Sequence, residues 1–151
     1  MGKTNNEKKG EIGQKKFIEW LDKKGIPYMF FDQGFSTYSN EFKNLLKRPD
    51  FMIFIKNFGF ILVDVKNHKI YENNHEYSIA LDPIEVKKYK RLHKEFGVQV
   101  WFAISNKFES FSNWYWISTN DIEETDKRTV PQPQLDKKEF YKPNIEKFIK
   151  I

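Results

Sequence analysis

The sequence contains no cysteine, which excludes a disulfide scaffold, a zinc ribbon and catalysis by a thiol. It has no apolar run long enough to cross a bilayer, and its lysine-rich start lacks the apolar core of a signal peptide. We therefore expect a cytoplasmic protein without a membrane partner. Its 151 residues, of which 39% are hydrophobic and 17% aromatic, predict one ordinary globular core rather than a disordered chain.

Arginine is scarce in a chain that is otherwise rich in basic residues. Among 26 lysine and arginine residues, only Arg48, Arg91 and Arg128 are arginine, and the formal net charge is +5. A positive protein suits a polyanionic partner, although surface lysine also serves solubility. Because lysine supplies point charges rather than bidentate forks, we expect attraction to phosphate rather than base-specific recognition.

The first third of the chain begins with a polar segment and continues with an amphipathic one. Residues 1–10 are basic and show no apolar period, so we expect a flexible basic arm. Apolar residues at helical spacing then predict a helix over 11–25. A short apolar run at 26–31 predicts a strand, and a long loop follows over 32–47.

The middle of the chain contains the strongest strand patterns. Residues 50–56 and 60–66 are rich in β-branched and aromatic residues, and the short spacer between them suits a hairpin. Asp82 and Pro83 predict the start of a helix and Gly97 its end. A loop is predicted over 68–81, and the helix covers 82–97. Two further strands are predicted over 98–104 and 114–117.

The last part of the chain is predicted to be an extension of the core. We place the core at 11–118 and a C-terminal extension, packed on it or tethered to it, at 119–151. Two prolines within 129–134 predict a tether, and 137–151 is predicted to contain a short helix.

Three polar residues on the predicted hairpin are candidates for chemistry. Asp64 and Lys66 are two residues apart on one strand, so their side chains share a face. If the hairpin pairs Asp50 with either Lys66 or Asp64, all three groups converge on that face. A register displaced by one residue would instead place Asp50 on the other face.

The apolar surroundings of Asp64 make its charge informative. A carboxylate in such a strand is costly unless it is paired or binds a cation. Two carboxylates about 4 Å apart repel by roughly 4 kcal/mol at an effective dielectric of about 20, which a divalent cation relieves. Oxygen ligands favour Mg²⁺ or Mn²⁺ over zinc, and a nearby lysine can hold or deprotonate a water and stabilise charge on phosphorus. The alternative is a buried ion pair without catalysis.

The motif resembles that of a known superfamily. Pro49-Asp50, a hairpin and then Asp64-Val65-Lys66 are similar to the signature of the PD-(D/E)XK nucleases, also called restriction-endonuclease-like. The span 12–105 looks most like small nucleases of the Holliday junction resolvase type. The resemblance implies an α/β fold with an αβββαβ core, a mixed central sheet flanked by helices, and C-terminal additions.

The resemblance also implies an activity. It implies a Mg²⁺-dependent endonuclease, with Mn²⁺ as a substitute, that hydrolyses DNA phosphodiester bonds in branched, restriction or repair substrates. Asp50, Asp64 and the Val65 carbonyl would hold the metal, and Lys66 would position or activate water. RNA stays an alternative substrate, and a non-catalytic nucleic-acid-binding or assembly module of the same fold is an alternative function. A homodimer is compatible with this activity, because cutting both strands needs two active sites.

Further residues are carried over from the family pattern. The family often adds an acidic residue from its first helix, and here Gln14 holds that position, with Glu11 as the alternative one turn earlier. Some members carry Gln-x-x-x-Tyr on the second helix, and Glu85 and Tyr89 are the imperfect accessory counterparts. The candidate phosphate contacts are a basic run on that helix and one histidine, namely Lys87, Lys88, Lys90, Arg91 and His68.

Overall fold

The computed structural model of the protein describes residues 2–31, 38–45, 47–132 and 135–151. Within these ranges the chain forms one six-stranded mixed sheet, two separate two-stranded hairpins, and helices that pack on both faces of the sheet. This architecture confirms the predicted α/β fold with a mixed central sheet. None of the helices in the described ranges is long and apolar enough to cross a bilayer.

The helices are α1 Asn5–Lys24, α2 Asn40–Leu45 and α3 Pro83–Phe96. The strands of the large sheet are β1 Tyr28–Phe30, β2 Phe51–Ile55, β3 Gly59–Asn67, β6 Val100–Ser105, β7 Tyr115–Ser118 and β10 Ile149–Lys150. The two hairpins consist of β4 Tyr71–Asn73 with β5 Glu76–Ser78, and of β8 Lys127–Gln132 with β9 Leu135–Tyr141. Part of the predicted long loop, 32–37 and 46, lies outside the described residues.

The large sheet has the order β1-β2-β3-β6-β7-β10. Among the strands of the described ranges, only β3 and β6 run parallel, and α3 forms the crossover that such a pair requires. The other neighbours are antiparallel, including β10, which pairs with β7 at the edge of the sheet. The sheet is therefore mixed, with its single parallel pair at the centre.

Alternation along β3 separates two hydrophobic cores. Val63 and Val65 belong to the buried cluster that includes α1, and Leu62 belongs to the cluster that includes α3. Successive strand residues point to opposite faces, so Asp64 and Lys66 follow Leu62 onto the α3 side. The polar pair predicted from the sequence therefore faces α3.

The predicted C-terminal ends of the two long helices and the predicted start of α3 are confirmed. Gly25 follows α1 and Gly97 follows α3 with φ angles of 67° and 69°, the left-handed conformation that glycine adopts without a steric penalty. The Asp82 side chain accepts a hydrogen bond from the Ile84 N–H, and Pro83 is the first residue of α3. Local capping chemistry fixed these ends, as the sequence indicated.

The expectation of a flexible arm over 1–10 is wrong for residues 5–10, which form the first turns of α1. The Thr4 hydroxyl accepts from the Glu7 N–H at 3.2 Å, and the Glu7 carboxylate accepts from the Thr4 N–H at 2.6 Å. This reciprocal capping box stabilises a helix start without any apolar period. A Thr-x-x-Glu signature therefore outweighed the polar composition.

The tether predicted over 129–134 is wrong for 129–132, which belong to β8, and 133–134 lie outside the described residues. The short helix predicted after Pro143 is present as a single 3-10 turn. The proline-containing segment forms β8, and β9 pairs with it in antiparallel register. The extension ends in a 3-10 turn over Ile145–Lys147 and in β10. Tyr141 and Phe148 are buried in the same cluster as α3, so tertiary packing decides the structure of this segment.

A close contact positions the first half of α1 against the end of β3. A Cβ atom added at Gly13 would lie 3.0 Å from the Cβ of Asn67, whereas nothing lies within 4 Å of one added at Gly10. The Asn67 side-chain amide donates to the Lys9 carbonyl at 3.0 Å, which ties the same two elements together. The absence of a side chain at Gly13 therefore lets α1 approach the sheet where the polar residues lie.

The two glycines are expected to respond differently to alanine. Gly10→Ala should raise the free energy of unfolding by about 0.5–1 kcal/mol, because alanine is the better helix former and space is open there. Gly13→Ala should lose that gain and fall at least about 1 kcal/mol below Gly10→Ala, because Asn67 must move. Urea unfolding of both variants measures the difference. Equal stabilisation by both substitutions would contradict the close contact.

Candidate active site

The register of the β2–β3 hairpin brings the three candidate residues to one face. Phe51 lies opposite Val63, so continuing the register by one residue places Asp50 opposite Asp64. This is one of the two registers that the sequence left open, and it confirms that Asp50, Asp64 and Lys66 share a face. The Asp50 N–H also donates to the Val63 carbonyl at 3.0 Å, which holds the chain beside β3 ahead of the strand itself.

The three groups lie in a cleft of about 550 Å³ at the end of β3. Its walls come from the first half of α1, the segment before β2, the end of β3 and the start of α3. The predicted residues that line the cleft are Gln14, Asp50, Asp64, Val65, Lys66, His68 and Glu85. Residues from distant parts of the sequence therefore form one polar site.

Asp64 is almost fully buried, with 1% of its surface exposed, and both of its carboxylate oxygens are engaged. Its Oδ1 lies 3.0 Å from Lys66 Nζ, and its Oδ2 lies 2.8 Å from Lys47 Nζ. The Tyr89 hydroxyl also donates to Oδ2. These contacts supply the partners that a buried carboxylate needs.

Glu85 completes a closed arrangement of charges around this carboxylate. Lys47 Nζ lies 2.7 Å from Glu85 Oε1, and Lys66 Nζ lies 2.7 Å from Glu85 Oε2. Each ammonium therefore touches two carboxylates and each carboxylate touches two ammonium groups. We call Asp64, Lys47, Glu85 and Lys66 the charge ring.

Asp50 lies outside the charge ring and accepts hydrogen bonds from two neutral donors. Its Oδ1 accepts from Gln14 Nε2 at 3.1 Å, and its Oδ2 accepts from the Val65 N–H at 2.8 Å. The first contact brings Gln14 to the site, as the sequence predicted. Glu11 instead pairs with Lys3 on the exposed side of α1.

The pKa values of the two aspartates move in opposite directions. Burial, with the charge of Asp64, raises the pKa of Asp50 to about 7, and the Val65 N–H, Lys66 and Lys47 offset this only in part. Burial pushes the pKa of Asp64 upward as well, but Lys66 and Lys47 outweigh it and lower that pKa to about 2. Nearby cations thus compensate the charge of Asp64 fully and that of Asp50 only in part.

Lys66 remains a cation in this arrangement. Burial alone would lower its pKa, but the charges of Asp64 and Glu85 raise it above its usual value. An ammonium held in this way can donate hydrogen bonds and stabilise negative charge, and it is a poor proton acceptor. Of the two roles that the sequence left open, the geometry favours positioning water over deprotonating it.

The donor set at the cleft fits a magnesium-type cation. Asp50 and Asp64 present oxygen atoms close enough that the charge of one raises the pKa of the other. Among the described residues, no group of three or more histidine, cysteine, aspartate or glutamate side chains could hold a metal. Mg²⁺ usually binds through only one or two carboxylates, together with waters and substrate phosphates, so two aspartates match its requirements.

Several predicted phosphate contacts lie elsewhere. Among the residues that the structure describes, the cleft lining includes none of the basic side chains of α3, namely Lys87, Lys88, Lys90 and Arg91. Lys90 donates to the Ile122 carbonyl, and Arg91 pairs with Glu95 at 2.7 Å. Basic residues that are consecutive on a helix point in several directions, and two of these four already have partners.

His68 lines the cleft but lacks the charge of a phosphate contact. Its Nδ1 lies 3.1 Å from the Ala80 carbonyl. Burial and the nearby charge of Lys66 lower its pKa, so the imidazole is neutral at pH 7. Its observed role is to join the end of β3 to the segment that precedes α3.

Lys47 is the functional candidate that sequence reasoning missed. It touches Asp64 and Glu85, which lie 17 and 38 positions further along the chain. No helical or strand period connects these positions, so only the folded chain brings them together. The available signal was a basic residue immediately ahead of the Arg48-Pro49-Asp50 segment, in a chain where lysine is common.

The fold of the described residues is restriction-endonuclease-like. One similar solved structure is Hjc, a Holliday junction resolvase from the archaeal hyperthermophile Archaeoglobus fulgidus, with a TM-score of 0.55 over 89% of this chain and 88% of that chain. The two sequences are 16% identical, so the likeness establishes the fold alone. No protein-family model matches the sequence, and no curated protein matches it. The resemblance inferred from the motif is confirmed at the level of the fold.

The two aspartates should affect stability with opposite signs. Because the pKa of Asp50 is raised in the folded state, the metal-free protein loses stability as pH rises from about 4 to about 7. Asp50→Asn removes the charge that causes this loss, so it should raise the free energy of unfolding at pH 8 by roughly 2–4 kcal/mol. The lowered pKa of Asp64 means that its contribution is present above about pH 4 and lost as pH falls towards 2. Asp64→Asn should therefore cost about 3 kcal/mol at pH 8, because the two ammonium groups beside this buried carboxylate lose a partner.

Urea unfolding in the presence of a chelator, at pH 8 and at pH 5, measures both effects. The gain from Asp50→Asn should shrink at pH 5, where the folded wild-type protein already binds the proton. A change of the same sign for both variants at pH 8 would contradict the opposite environments of the two carboxylates.

Proposed function

We propose that the protein is a metal-dependent endonuclease that hydrolyses DNA phosphodiester bonds, with branched DNA as the first substrate to test. The observation that carries this proposal is the convergence of Asp50, Asp64 and Lys66 in one cleft. Its support is the restriction-endonuclease-like fold, which Hjc, by name a Holliday junction resolvase, shares. A homodimer and a cytoplasmic location remain predictions.

Mg²⁺ is the proposed cofactor, and Mn²⁺ would substitute for it. Asp50, Asp64 and the Val65 carbonyl would hold the cation. Pro49 is the residue that the continued register places opposite Val65, and it has no N–H to offer that carbonyl. When bound, the cation supplies charge that neutralises the carboxylates and polarises the phosphate and the attacking water.

The remaining residues of the cleft hold and orient these groups. Gln14 and the Val65 N–H fix the Asp50 carboxylate, and Tyr89 fixes that of Asp64. Lys66 presents its ammonium group beside Asp64, where it would orient a water and stabilise the charge that develops on the phosphate oxygens. Side chains held in this way lose little entropy when substrate binds.

Lys47 is proposed to change partner during binding. A cation on Asp64 would displace a positively charged neighbour, and Lys47 is the more exposed of the two lysines, with 31% of its side chain accessible against 16% for Lys66. Its ammonium group would then be available to a substrate phosphate at the cleft mouth. Lys47 is therefore a counter-ion in the free protein and a proposed phosphate contact in the complex.

A second candidate function has one observation in its favour. The carboxylate oxygens of Asp64 already have protein donors, so the charge ring is complete without a metal. A non-cleaving nucleic-acid-binding module could retain such a ring as a structural ion-pair network. Measured cleavage separates this function from the enzyme.

Loss of Asp64 should abolish cleavage and spare binding. Wild-type protein with Mg²⁺ or Mn²⁺ should cut at least one substrate from a set of four-way junction, flap, linear duplex and single-stranded DNA, with matched RNA as competitor. Asp64→Asn should cut that substrate at least about 100-fold more slowly, since a metal ligand and its charge are removed. Binding of the same labelled DNA in chelator should change little. Absence of cleavage of every substrate by the wild type would favour the non-cleaving module.

Removal of Lys47 should strengthen metal binding while it weakens cleavage. Lys47→Met removes a positive charge that competes for Asp64, so Mn²⁺ should bind about five- to tenfold more tightly, an effect discounted for the partial exposure of the side chain. Isothermal titration calorimetry with Mn²⁺ alone measures this without any substrate. Lys23→Met, a charge loss in the last turn of α1, is the matched control. Unchanged or weaker Mn²⁺ binding by Lys47→Met would contradict the competition.

A further inference from the structure

A second groove of about 340 Å³ continues from the catalytic cleft. The two share four lining residues, Lys9, His68, Ala80 and Phe140. The groove adds Lys69, Tyr71 and Lys142, from the start of the β4–β5 hairpin and from the end of β9. The groove therefore lies directly beside the cleft, and the two have a common border.

Backbone pairing fixes the floor of the groove. Leu81 and Tyr141 exchange backbone hydrogen bonds of 2.8 and 3.0 Å, and both side chains are fully buried. Side chains alternate along such extended segments, so Ala80, Phe140 and Lys142 point outward into the groove. Ala80 and Phe140 lie at the common border of cleft and groove.

The groove carries positive charge that is available to a ligand. Three lysines line it, and no carboxylate of the described residues does. In the described part of the chain, these three lysines form no ion pair. In the catalytic cleft, by contrast, Lys47 and Lys66 are occupied by Asp64 and Glu85.

An aromatic ring positions two of the lysines. The Nζ atoms of Lys69 and Lys142 lie 5.0 and 4.7 Å from the centre of the Tyr71 ring. Cation–π contacts of this kind hold an ammonium group in place without neutralising its charge. The two lysines come from separate hairpin and strand segments, so the fold, rather than a local run of sequence, assembles them.

We infer that this groove, formed by Lys9, Lys69, Tyr71 and Lys142, binds the phosphate backbone of the nucleic-acid substrate on its path to the catalytic cleft. The inference rests on the proposed nuclease function, because the substrate is the ligand that must enter that cleft. Lysine point charges suit backbone contacts that are independent of base sequence. The groove replaces α3 as the surface that carries the substrate past the active site.

The salt dependence of binding tests the inference. The probe is a fluorescently labelled four-way junction, with the linear duplex of the same sequence beside it, and binding is followed by anisotropy in chelator. Lys69→Gln with Lys142→Gln should raise the Kd several-fold and reduce the slope of log K against log salt by about 2, because each substitution removes one lysine–phosphate interaction. Lys23→Gln with Lys24→Gln removes the same charge at the far end of α1 and should leave the slope unchanged.

A third pair of substitutions tests whether α3, rather than the groove, binds the phosphate backbone. Lys87→Gln with Lys88→Gln removes two charges from α3, where the sequence alone placed the phosphate contacts. A reduced slope for this pair, together with an unchanged slope for the groove pair, would overturn the inference. If the slope is reduced equally by the groove pair and by the control pair at Lys23 and Lys24, the inference is overturned as well, because the effect would then follow from net charge alone.

The outcomes separate the groove from the nuclease proposal. Binding that maps to the groove, with no cleavage by the wild type, would support the groove and refute the enzyme. If the wild type cleaves DNA, and Lys69→Gln with Lys142→Gln changes neither the cleavage rate nor the Kd, the groove proposal alone is refuted. Failure of the wild type to bind any DNA or RNA probe would refute both. Circular dichroism melting confirms that the surface variants are folded.

Discussion

The charge ring around buried Asp64 is the interaction on which the site depends. It joins the end of β3, the start of α3 and the segment before β2 through four contacts of 2.7–3.0 Å. Each member contacts two others, so removal of one leaves two neighbouring charges with a single ring partner each, which costs more than the loss of an exposed ion pair. The ring therefore fixes where Asp64 and Lys66 lie and, through the hairpin register, where Asp50 stands relative to them. Tyr89 adds a hydroxyl from the next turn of α3, which donates to the same carboxylate and ties the helix to β3 at a second point.

The charge of Asp50, in contrast to that of Asp64, is compensated only in part. The ring contains two anions and two cations, so its positive charges are already matched before a third carboxylate is added beside it. Asp50 accepts from an amide and a backbone N–H, yet burial and the charge of Asp64 still raise its pKa to about 7. In the metal-free protein the ionised form of Asp50 is therefore destabilised, and a cation bound beside it would relieve that destabilisation. Stored cost of this kind is typical of functional sites, because the ligand rather than the protein supplies the compensation.

Local chemistry allowed most of the fold and part of the site to be predicted. Period-two alternation placed Asp64 and Lys66 on one face, and Asp82, Pro83 and Gly97 marked the ends of α3, because these features depend only on neighbouring residues. Lys47 could not be predicted in the same way, because its contacts with Asp64 and Glu85 exist only after β3 and α3 have packed. The β8–β9 hairpin escaped prediction for a related reason. Its strands are polar and contain proline, and long-range burial of Tyr141 rather than local pattern holds them.

The distribution of lysine shows the same limit in the search for a binding surface. A run of basic residues on α3 looks like a phosphate track in the sequence, but helical geometry turns successive side chains by about 100° each. Lys90 and Arg91 consequently find partners in a carbonyl and a glutamate. Lys9, Lys69 and Lys142 are far apart in the sequence and converge because α1, the turn after β3 and the end of β9 meet beside the cleft. A polyanion responds to charge density in space, so the lysines that converge beside the cleft are the proposed binding surface, and the basic run on α3 stays a prediction.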